Sequence, residues 1–199
     1  MSAVTTLSIK NDFNTISNLR FGLGSRKTYR NDPMFAYHTI ECTASDAPSS
    51  EPGKQMQLVI SNTELPISYS GNGGILVRLK RGSELHMVLC DIEAKVRASA
   101  PPGLCVAPLV KEPDNQQWDP SLKLKSDWCA MHTDSTGTLD QGCVLKRCLF
   151  SIGRLNHYQG KYHWGCVLKS ALIGDTPSEE CGHDREAMTQ ENLDMLYED

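Results

Sequence analysis

The sequence lacks the long apolar segment and the short motifs that would identify a membrane protein or a common enzyme class. No run of about eighteen apolar residues occurs, so we expect no membrane span. The glycine-rich stretch at residues 70–74 is followed by neither Lys-Ser/Thr nor a helical pattern, which excludes a phosphate-binding P-loop. Gly-x-Ser-x-Gly is also missing, so serine-type acyl transfer has no support. We therefore predict a protein that is not an enzyme and has no cofactor.

The features of exported proteins are absent as well. Residues 1–10 contain no apolar core behind a basic start, which is the pattern of a secretory signal. We therefore expect the protein not to be secreted and its eight cysteines to be reduced, in a cytosolic or nuclear compartment. No Cys-x2-Cys pair occurs, although seven cysteines and histidines lie within 38 residues. These are Cys129, His132, Cys143, Cys148, His157, His163 and Cys166.

This cluster of cysteine and histidine raises the question of a structural zinc, which prefers tetrahedral thiolate and imidazole ligands. Most of the cluster falls in predicted strands, where a reduced cysteine is a small buried residue. We therefore predict no metal site. A zinc-dependent interaction module stays as an alternative. A Cys-His protease is a further alternative, although no local pattern singles out a nucleophile and its base.

The net charge of −4 is unevenly distributed. From residue 175 onward there are nine acidic residues and a single basic one, Arg185, which leaves a net charge of +4 on residues 1–174. We interpret the tail as a solvated segment that keeps the protein soluble. The alternative hypothesis is that the tail competes for a basic surface that otherwise contacts phosphate groups.

Alternation of polar and apolar residues predicts a mainly β fold, because successive side chains of a strand point to opposite faces. The pattern is clearest at residues 85–98, which we predict to be a strand. Its expected core residues are Val88, Cys90, Ile92, Ala94 and Val96, and its expected exposed residues are Glu93, Lys95 and Arg97. Further strands are predicted near residues 35–43, 55–60, 75–79, 104–110, 143–152 and 162–172. About seven strands with polar turns favour a single β-sandwich, jelly-roll-like domain.

The two ends of the chain have different patterns. Ile9, Phe13 and Ile16 have near-helical spacing, which predicts a short N-terminal helix, and residues 20–26 are predicted to be a loop. Asp184 is a suitable N-cap for an acidic C-terminal helix. The predicted organisation is an N-terminal segment at residues 1–33, the β-sandwich domain at 34–174 and the acidic tail at 175–199.

Basic residues of the predicted domain are candidates for binding nucleic acid through phosphate contacts, which are largely independent of base sequence. The predicted binding residues are Arg78, Lys80, Arg81, Lys146, Arg147 and Arg154. Lys161 lies close to Arg154 in the sequence and is part of the same candidate surface. We interpret five of the aromatic residues as core and loop packing rather than a base-stacking platform. They are Trp118, Trp128, Trp164, Tyr158 and Tyr162.

The segment at residues 88–115 carries a resemblance to known families. An alternating stretch leads through Pro101-Pro102-Gly103 into a second extended stretch that ends near Asp114. This arrangement resembles the central strand pair of viral β-sandwich proteins, both jelly-roll coat proteins and the thirty-kilodalton superfamily of plant-virus movement proteins. In the movement family an acidic residue follows a strand, and Asp91 or Asp114 matches it. Residues 158–164 are similar to part of rhabdovirus-type matrix proteins.

The resemblance implies a non-enzymatic viral protein of the cell-to-cell movement type. Such a protein would bind single-stranded RNA or nucleoprotein and associate with itself or with viral coat protein. Its expected location is the host cell cytoplasm or the virion. The alternative that the resemblance implies is a capsid or matrix structural protein that forms a shell.

Overall fold

The computed structural model describes residues 4–29, 32–48, 50–71, 74–115, 117–126, 132–133 and 142–174. The described residues form ten strands and two α-helices, which confirms the prediction of a mainly β fold. The strands are β1 (Val4–Ser8), β2 (Leu19–Tyr29), β3 (Asp32–Ala44), β4 (Gln55–Gly71), β5 (Gly74–Arg78), β6 (Val110–Lys111), β7 (Ser121–Ser126), β8 (His132–Thr133), β9 (Val144–Tyr158) and β10 (Lys161–Gly174). The helices are α1 (Ile9–Ser17) and α2 (Glu84–Ser99).

Five of the strands close into a barrel. β4, β5 and β7 form an antiparallel meander, and the hairpin of β9 and β10 completes the ring. β10 pairs in parallel with β7, and β9 pairs antiparallel with β4. The ring order is therefore β4-β5-β7-β10-β9 and back to β4. The sequence predicted a two-sheet, jelly-roll-like sandwich, whereas the structure contains this barrel. The barrel closes because β4 is long enough to pair with β9 along one part and with β5 along the other.

The remaining long strands extend the sheet beyond the barrel. β3 pairs with the last part of β9, from Arg154 to Asn156, and β2 pairs with β3. β1 pairs in parallel with the start of β4. The two halves of β9 therefore have different neighbours: Val144–Ile152 lies beside β4 inside the ring, and the final residues lie beside β3 outside it.

Alternating side chains account for the barrel core. In β7, Leu122 and Leu124 are fully buried, whereas Lys123 and Lys125 are exposed. The same alternation in β9 buries Phe150 and Ile152. Predicted strands near residues 35–43, 55–60, 75–79, 143–152 and 162–172 fall within β3, β4, β5, β9 and β10, and the predicted N-terminal helix is α1. No helix among the described residues is long and apolar enough to cross a membrane.

The prediction of a strand at residues 85–98 is wrong, because these residues form α2. Ser83 caps the helix by accepting a hydrogen bond from the backbone N–H of His86 at 3.3 Å. The buried residues lie on one helical face and are Leu85, Val88, Leu89, Ile92 and Val96. Three of them are four residues apart, a spacing that fits a strand face and a helix face equally well. The period of two was therefore misleading.

The burial of several α2 side chains differs from what the predicted strand required. Cys90 and Ala94, which were expected in the core, are exposed. Arg97 is exposed as expected, and Lys95 is partly buried. Glu93 is also partly buried, because its Oε2 accepts a hydrogen bond from the backbone N–H of Leu109 at 2.8 Å. This bond connects α2 to the segment that leads into β6.

Two further predictions are corrected. Residues 20–26 are part of β2 and not a loop; the glycine at position 24 is required because a Cβ there would collide with the Thr39 hydroxyl of β3. In the predicted strand at 104–110, only Val110 lies in a regular strand, while Val106 forms an isolated parallel bridge to Tyr162. The strand pair that carries the viral resemblance is thus a helix and an irregular segment. The acidic tail and its predicted helix lie outside the described residues.

Candidate nucleic-acid interface

The sheet register places residues of three neighbouring strands side by side on the outer face. Asn156 of β9 is opposite Tyr37 of β3 on one side and His163 of β10 on the other. The next pair toward the β9–β10 turn is Tyr158 opposite Lys161. Paired residues point to the same side of a sheet, so these side chains form one continuous surface. Leu155, between Asn156 and Arg154, points the other way and is fully buried.

An aromatic cluster occupies the β2–β3 side of this surface. We define it as Tyr29, Phe35, Tyr37 and Tyr158 together with Arg154. The Tyr29 and Tyr37 ring centroids are 5.3 Å apart. The guanidinium carbon of Arg154 lies 4.8 Å from the Tyr37 centroid and 5.8 Å from the Tyr29 centroid, and its Nη1 donates a hydrogen bond to the Tyr29 hydroxyl at 2.5 Å. Two rings therefore hold the arginine in one orientation.

The absence of a side chain at Gly165 leaves room for this arrangement. Gly165 is opposite Arg154, and a Cβ at that position would lie 3.0 Å from Asn156 Nδ2 and 3.4 Å from Arg154 Cβ. Such contacts are tighter than ordinary van der Waals packing. The glycine thus leaves space beside β9 for the Asn156 side chain.

Several rings of the cluster are open to solvent. Tyr29 is 50% exposed, and Phe35 and Tyr158 are each 55% exposed. Phe35 precedes Tyr37 by two residues and Tyr158 follows Asn156 by two, so both lie toward the same end and on the same face of the β3–β9 pair. Tyr158 is therefore not a core residue; it lies at the end of β9, next to the β9–β10 turn.

The other aromatic residues interpreted as packing fall into different places. Tyr162 and Trp164 pack against the core, as expected. The indole N–H of Trp164 donates a hydrogen bond to the Ala107 carbonyl at 2.8 Å. Trp118 is 53% exposed in the loop before β7, far from the aromatic cluster in the sheet order. Trp128 lies outside the described residues.

A basic row continues the surface toward β7. We define it as Lys123, Lys125, Lys161 and His163. Burial lowers the pKa of His163 below its ordinary value of 6.5, and the positive charges of Lys161, Lys123 and Lys125 lower it further. Burial also lowers the pKa of Lys123, with a contribution from Lys125. The positive charges of these groups therefore act on one another, and together they make this part of the face basic.

The residues predicted from sequence are dispersed. Arg154 belongs to the aromatic cluster. Arg78 is partly buried at the end of β5, opposite Ser121 of β7, and borders the basic row. Lys80 is exposed in the following turn. Arg81 forms an ion pair with Glu112 at 2.7 Å and donates a hydrogen bond to the Trp118 carbonyl, so its charge is largely compensated.

Lys146 and Arg147 lie at the opposite end of β9 from Arg154. Both are exposed. Arg147 borders a shallow depression whose neighbouring side chains include Val59 and Leu172. Among the described residues, the cation–π contacts that Arg154 makes have no counterpart at Lys146 or Arg147. Arg147 therefore presents its charge beside aliphatic groups.

The metal and protease alternatives have little basis in the described part of the chain. No group of three or more potential metal ligands occurs there. Cys148 and Cys166 are buried, which raises the pKa of each thiol to about 12, so both are neutral thiols near pH 7. His163 faces three lysines, which would repel a metal cation. Cys129 lies outside the described residues, and so does the side chain of His132.

One cysteine does lie beside a histidine. Cys90 Sγ is 3.7 Å from His86 Nε2, which also lies 3.3 Å from Glu112 Oε1. Burial raises the pKa of the Cys90 thiol, and the negative charges of Glu93 and Glu112 raise it further. A nucleophilic cysteine needs a lowered pKa, so the electrostatics of this pair oppose such a role.

Comparison of the chain with protein-family models gives no match, and comparison with curated proteins gives none either. The outer face nevertheless combines two kinds of side chain. The basic row supplies ammonium and imidazole groups that bind phosphate, and the aromatic cluster supplies exposed ring faces beside a guanidinium group. Sequence reasoning missed Lys123, Lys125 and the role of the rings, because only the pairing of distant strands brings them together.

Proposed function

We propose that this protein binds nucleic acid, without catalysing a reaction, through the basic row and the aromatic cluster. The observation that carries the proposal is the register of β3, β9 and β10, which aligns Tyr37, Asn156 and His163 across one face. Positive groups for phosphates and exposed rings for bases then share a single surface. A surface with this combination is typical of sequence-tolerant binding to nucleic acid.

The barrel topology supports the proposal by analogy. Five-stranded Greek-key barrels of the OB type bind oligonucleotides on the face of their second and third strands and on the loops that join strands one to two and four to five. In this ring the second and third strands are β5 and β7, and β7 carries Lys123 and Lys125. The loop between the last two strands is the β9–β10 turn, which is flanked by Tyr158 and Lys161.

The narrower assignment stays a prediction. The cell-to-cell movement type, with single-stranded RNA, nucleoprotein or coat protein as partners, depends on the resemblance at residues 88–115. This segment contains α2, so the strand pair that carries the resemblance adds no support from the fold. The capsid or matrix alternative predicts large closed particles or sheets in size-exclusion chromatography, whereas a dimer or monomer favours the binding role.

The test compares two double charge reversals of equal size. Lys125→Glu with Lys161→Glu alters the basic row, and Lys146→Glu with Arg147→Glu alters the opposite end of β9. Binding of a labelled single strand of about 20 nucleotides, longer than the roughly 4–16 nucleotides that one such barrel covers, is measured by fluorescence anisotropy over a range of salt concentrations. Both variants change the net charge equally, so a general polyelectrolyte effect would weaken both alike.

We expect the basic-row variant to lose affinity and to reduce the salt slope by about 1.4, since each lost phosphate contact on a single strand contributes about 0.7. The Lys146 and Arg147 variant is expected to keep the wild-type slope. Equal losses in both variants would contradict the site. Absence of wild-type binding at low salt would contradict the function.

A further inference from the structure

We infer that the aromatic cluster is a stacking site for unpaired bases, which makes single-stranded nucleic acid the preferred ligand; this inference rests on the proposed function and specifies its substrate class. The basic row alone would attract single strands and duplexes, because both present phosphates. The exposed rings add a feature that only unpaired bases can use. In a duplex, both faces of each base are already covered by its neighbours.

The geometry of the cluster suits a flat ligand. Tyr29, Phe35 and Tyr158 are each at least half exposed; Phe35 lies within β3, and Tyr29 and Tyr158 are the last residues of β2 and β9. Arg154 is held against Tyr37 at 4.8 Å and by the Tyr29 hydroxyl, so its planar guanidinium group is already ordered. An ordered plane next to open rings loses little conformational freedom when a base stacks on it.

The distribution of charge identifies the occupant as a nucleic acid rather than an apolar partner. The strands β2, β3, β9, β10 and β7 follow one another in the sheet, so the face from the Tyr29 edge to Lys125 spans four strand spacings, about 19 Å. Rings occupy the first half and cationic groups the second. Lys125 lies opposite Val167, four residues along β10 from His163, so a single strand that runs obliquely across the sheet can place bases on the rings while its phosphates contact Lys161, His163 and Lys125.

Three of the four rings of the stacking site lie outside the five-stranded barrel. Tyr29, Phe35 and Tyr37 belong to β2 and β3, which join the barrel through the last residues of β9 and through the bridge between Cys42 and Lys54, next to β4. The barrel therefore supplies phosphate binding, and the added strands supply the preference for unpaired bases. The two contributions are separable by mutation.

The experiment uses the full-length protein and three probes of equal length: oligo(dT), an abasic strand with the same phosphates, and a duplex. The main variant is Phe35→Ala with Tyr158→Ala, since both rings are largely exposed and their loss should leave the fold intact. The matched control is Trp118→Ala, which removes a ring of similar exposure from the loop before β7. Urea denaturation verifies that all variants fold.

We expect the wild type to bind oligo(dT) more tightly than the abasic strand. The double variant should lose about fivefold to a hundredfold of its oligo(dT) affinity for each stacked base, with abasic and duplex affinities within about twofold of wild type. The Trp118 control should match the wild type for all probes. If the double variant does not fold, Arg154→Lys replaces it; this change keeps the charge but removes the planar group, and the same selective loss of oligo(dT) binding is expected.

Three results would overturn the inference. The first is equal wild-type affinity for oligo(dT) and the abasic strand, which would leave phosphate binding by the basic row intact but assign no role to bases. The second is an equal loss for all three probes in the variant, which would indicate a general structural effect. The third is a change in oligomeric state with unchanged oligo(dT) affinity, which would make the face an interface between copies of the chain. A wild type that binds no probe would instead contradict the proposed function.

Discussion

The two ends of β9 carry similar charge in very different surroundings. Lys146 and Arg147 lie near the start of the strand, and Arg147 borders aliphatic side chains. Arg154 lies seven residues after Arg147, about 23 Å along the strand, beside two tyrosine rings. The first end pairs with β4 and the second with β3. The neighbours on the adjacent strand therefore decide whether a basic residue of β9 is part of the candidate site. These neighbours change from β4 to β3 along the same strand.

The largest difference between the two ends should appear in single charge reversals. Arg154→Glu is expected to lower affinity for a single strand by about tenfold to a hundredfold, the range for loss of a charge-assisted hydrogen bond. Arg147→Glu changes the net charge equally and should lower affinity by less than about twofold. The affinity of each variant for the single strand is measured by fluorescence anisotropy titration at one salt concentration. A greater loss for Arg147→Glu would reverse the assignment of the two ends.

A change of pH should have a smaller effect on affinity. It acts through His163 of the basic row, which lies toward the Arg154 end of β9. His163 is largely neutral near pH 7, since burial and the three nearby lysines lower its pKa. As the pH falls from about 7.5 to about 5.5, protonation should add a positive charge and raise affinity by about twofold to fivefold. His163→Gln should remove this dependence, while His86→Gln, on α2, should preserve it. An unchanged pH dependence in His163→Gln would exclude the imidazole from the interface.

The same shift predicts a modest effect on folding. Because the folded-state pKa of His163 is below its unfolded value of 6.5, the unfolded chain binds more protons in the window just below that pH. The contribution of His163 to the free energy of unfolding is therefore present above pH 6.5 and is lost as the pH falls through that window. The urea midpoint of the wild type should fall relative to that of His163→Gln as the pH drops below 6.5. The difference between the two midpoints should change little above neutral pH.

The smallest expected effect concerns the acidic tail, which follows Gly174 at the Lys146 end of the β9–β10 hairpin. A chain that ends at Gly174 has a net charge of +4 instead of −4. It should stay folded and bind single-stranded RNA about twofold more tightly at low salt, with the gain disappearing as salt screens the charges. Aggregation of the shorter chain would indicate that the tail covers apolar surface. Unchanged binding at low salt would count against the hypothesis that the tail competes with RNA.

The fold was partly predictable because most strands alternate clearly. β4 and β9 bury alternating residues, such as Met56 and Leu58 or Cys148, Phe150 and Ile152, and α1 has a helical spacing. The strand prediction at α2 failed because Val88, Ile92 and Val96 satisfy both periods, and the deciding evidence is the Ser83 cap and the buried pair Val88 and Leu89. Closure of the barrel could not be predicted, since it depends on parallel pairing of β10 with β7, which leaves no local pattern.

The candidate site was less predictable than the fold. Arg154 and Lys161 could be selected as basic residues, but nothing local distinguishes Arg154 from Arg147. The distinction comes from Tyr37, which is more than a hundred positions away in the sequence and reaches Arg154 only through the β3–β9 register. Lys123 and Lys125 alternate with buried leucines, a pattern that predicts only a solvated face.

Closure of the ring by its last two strands has a consequence for synthesis of the chain. Met56 of β4 pairs with Ile152 of β9, 96 positions later. At typical translation rates, roughly 5 to 20 seconds pass between the appearance of these two residues. Throughout that interval the nascent chain presents an apolar strand edge with no partner, and pairings between such distant segments form slowly. The yield of folded protein in a cell should therefore depend on how well this edge is protected from other nascent chains, and a holdase chaperone that covers β4 should raise that yield without altering the stability of the finished barrel.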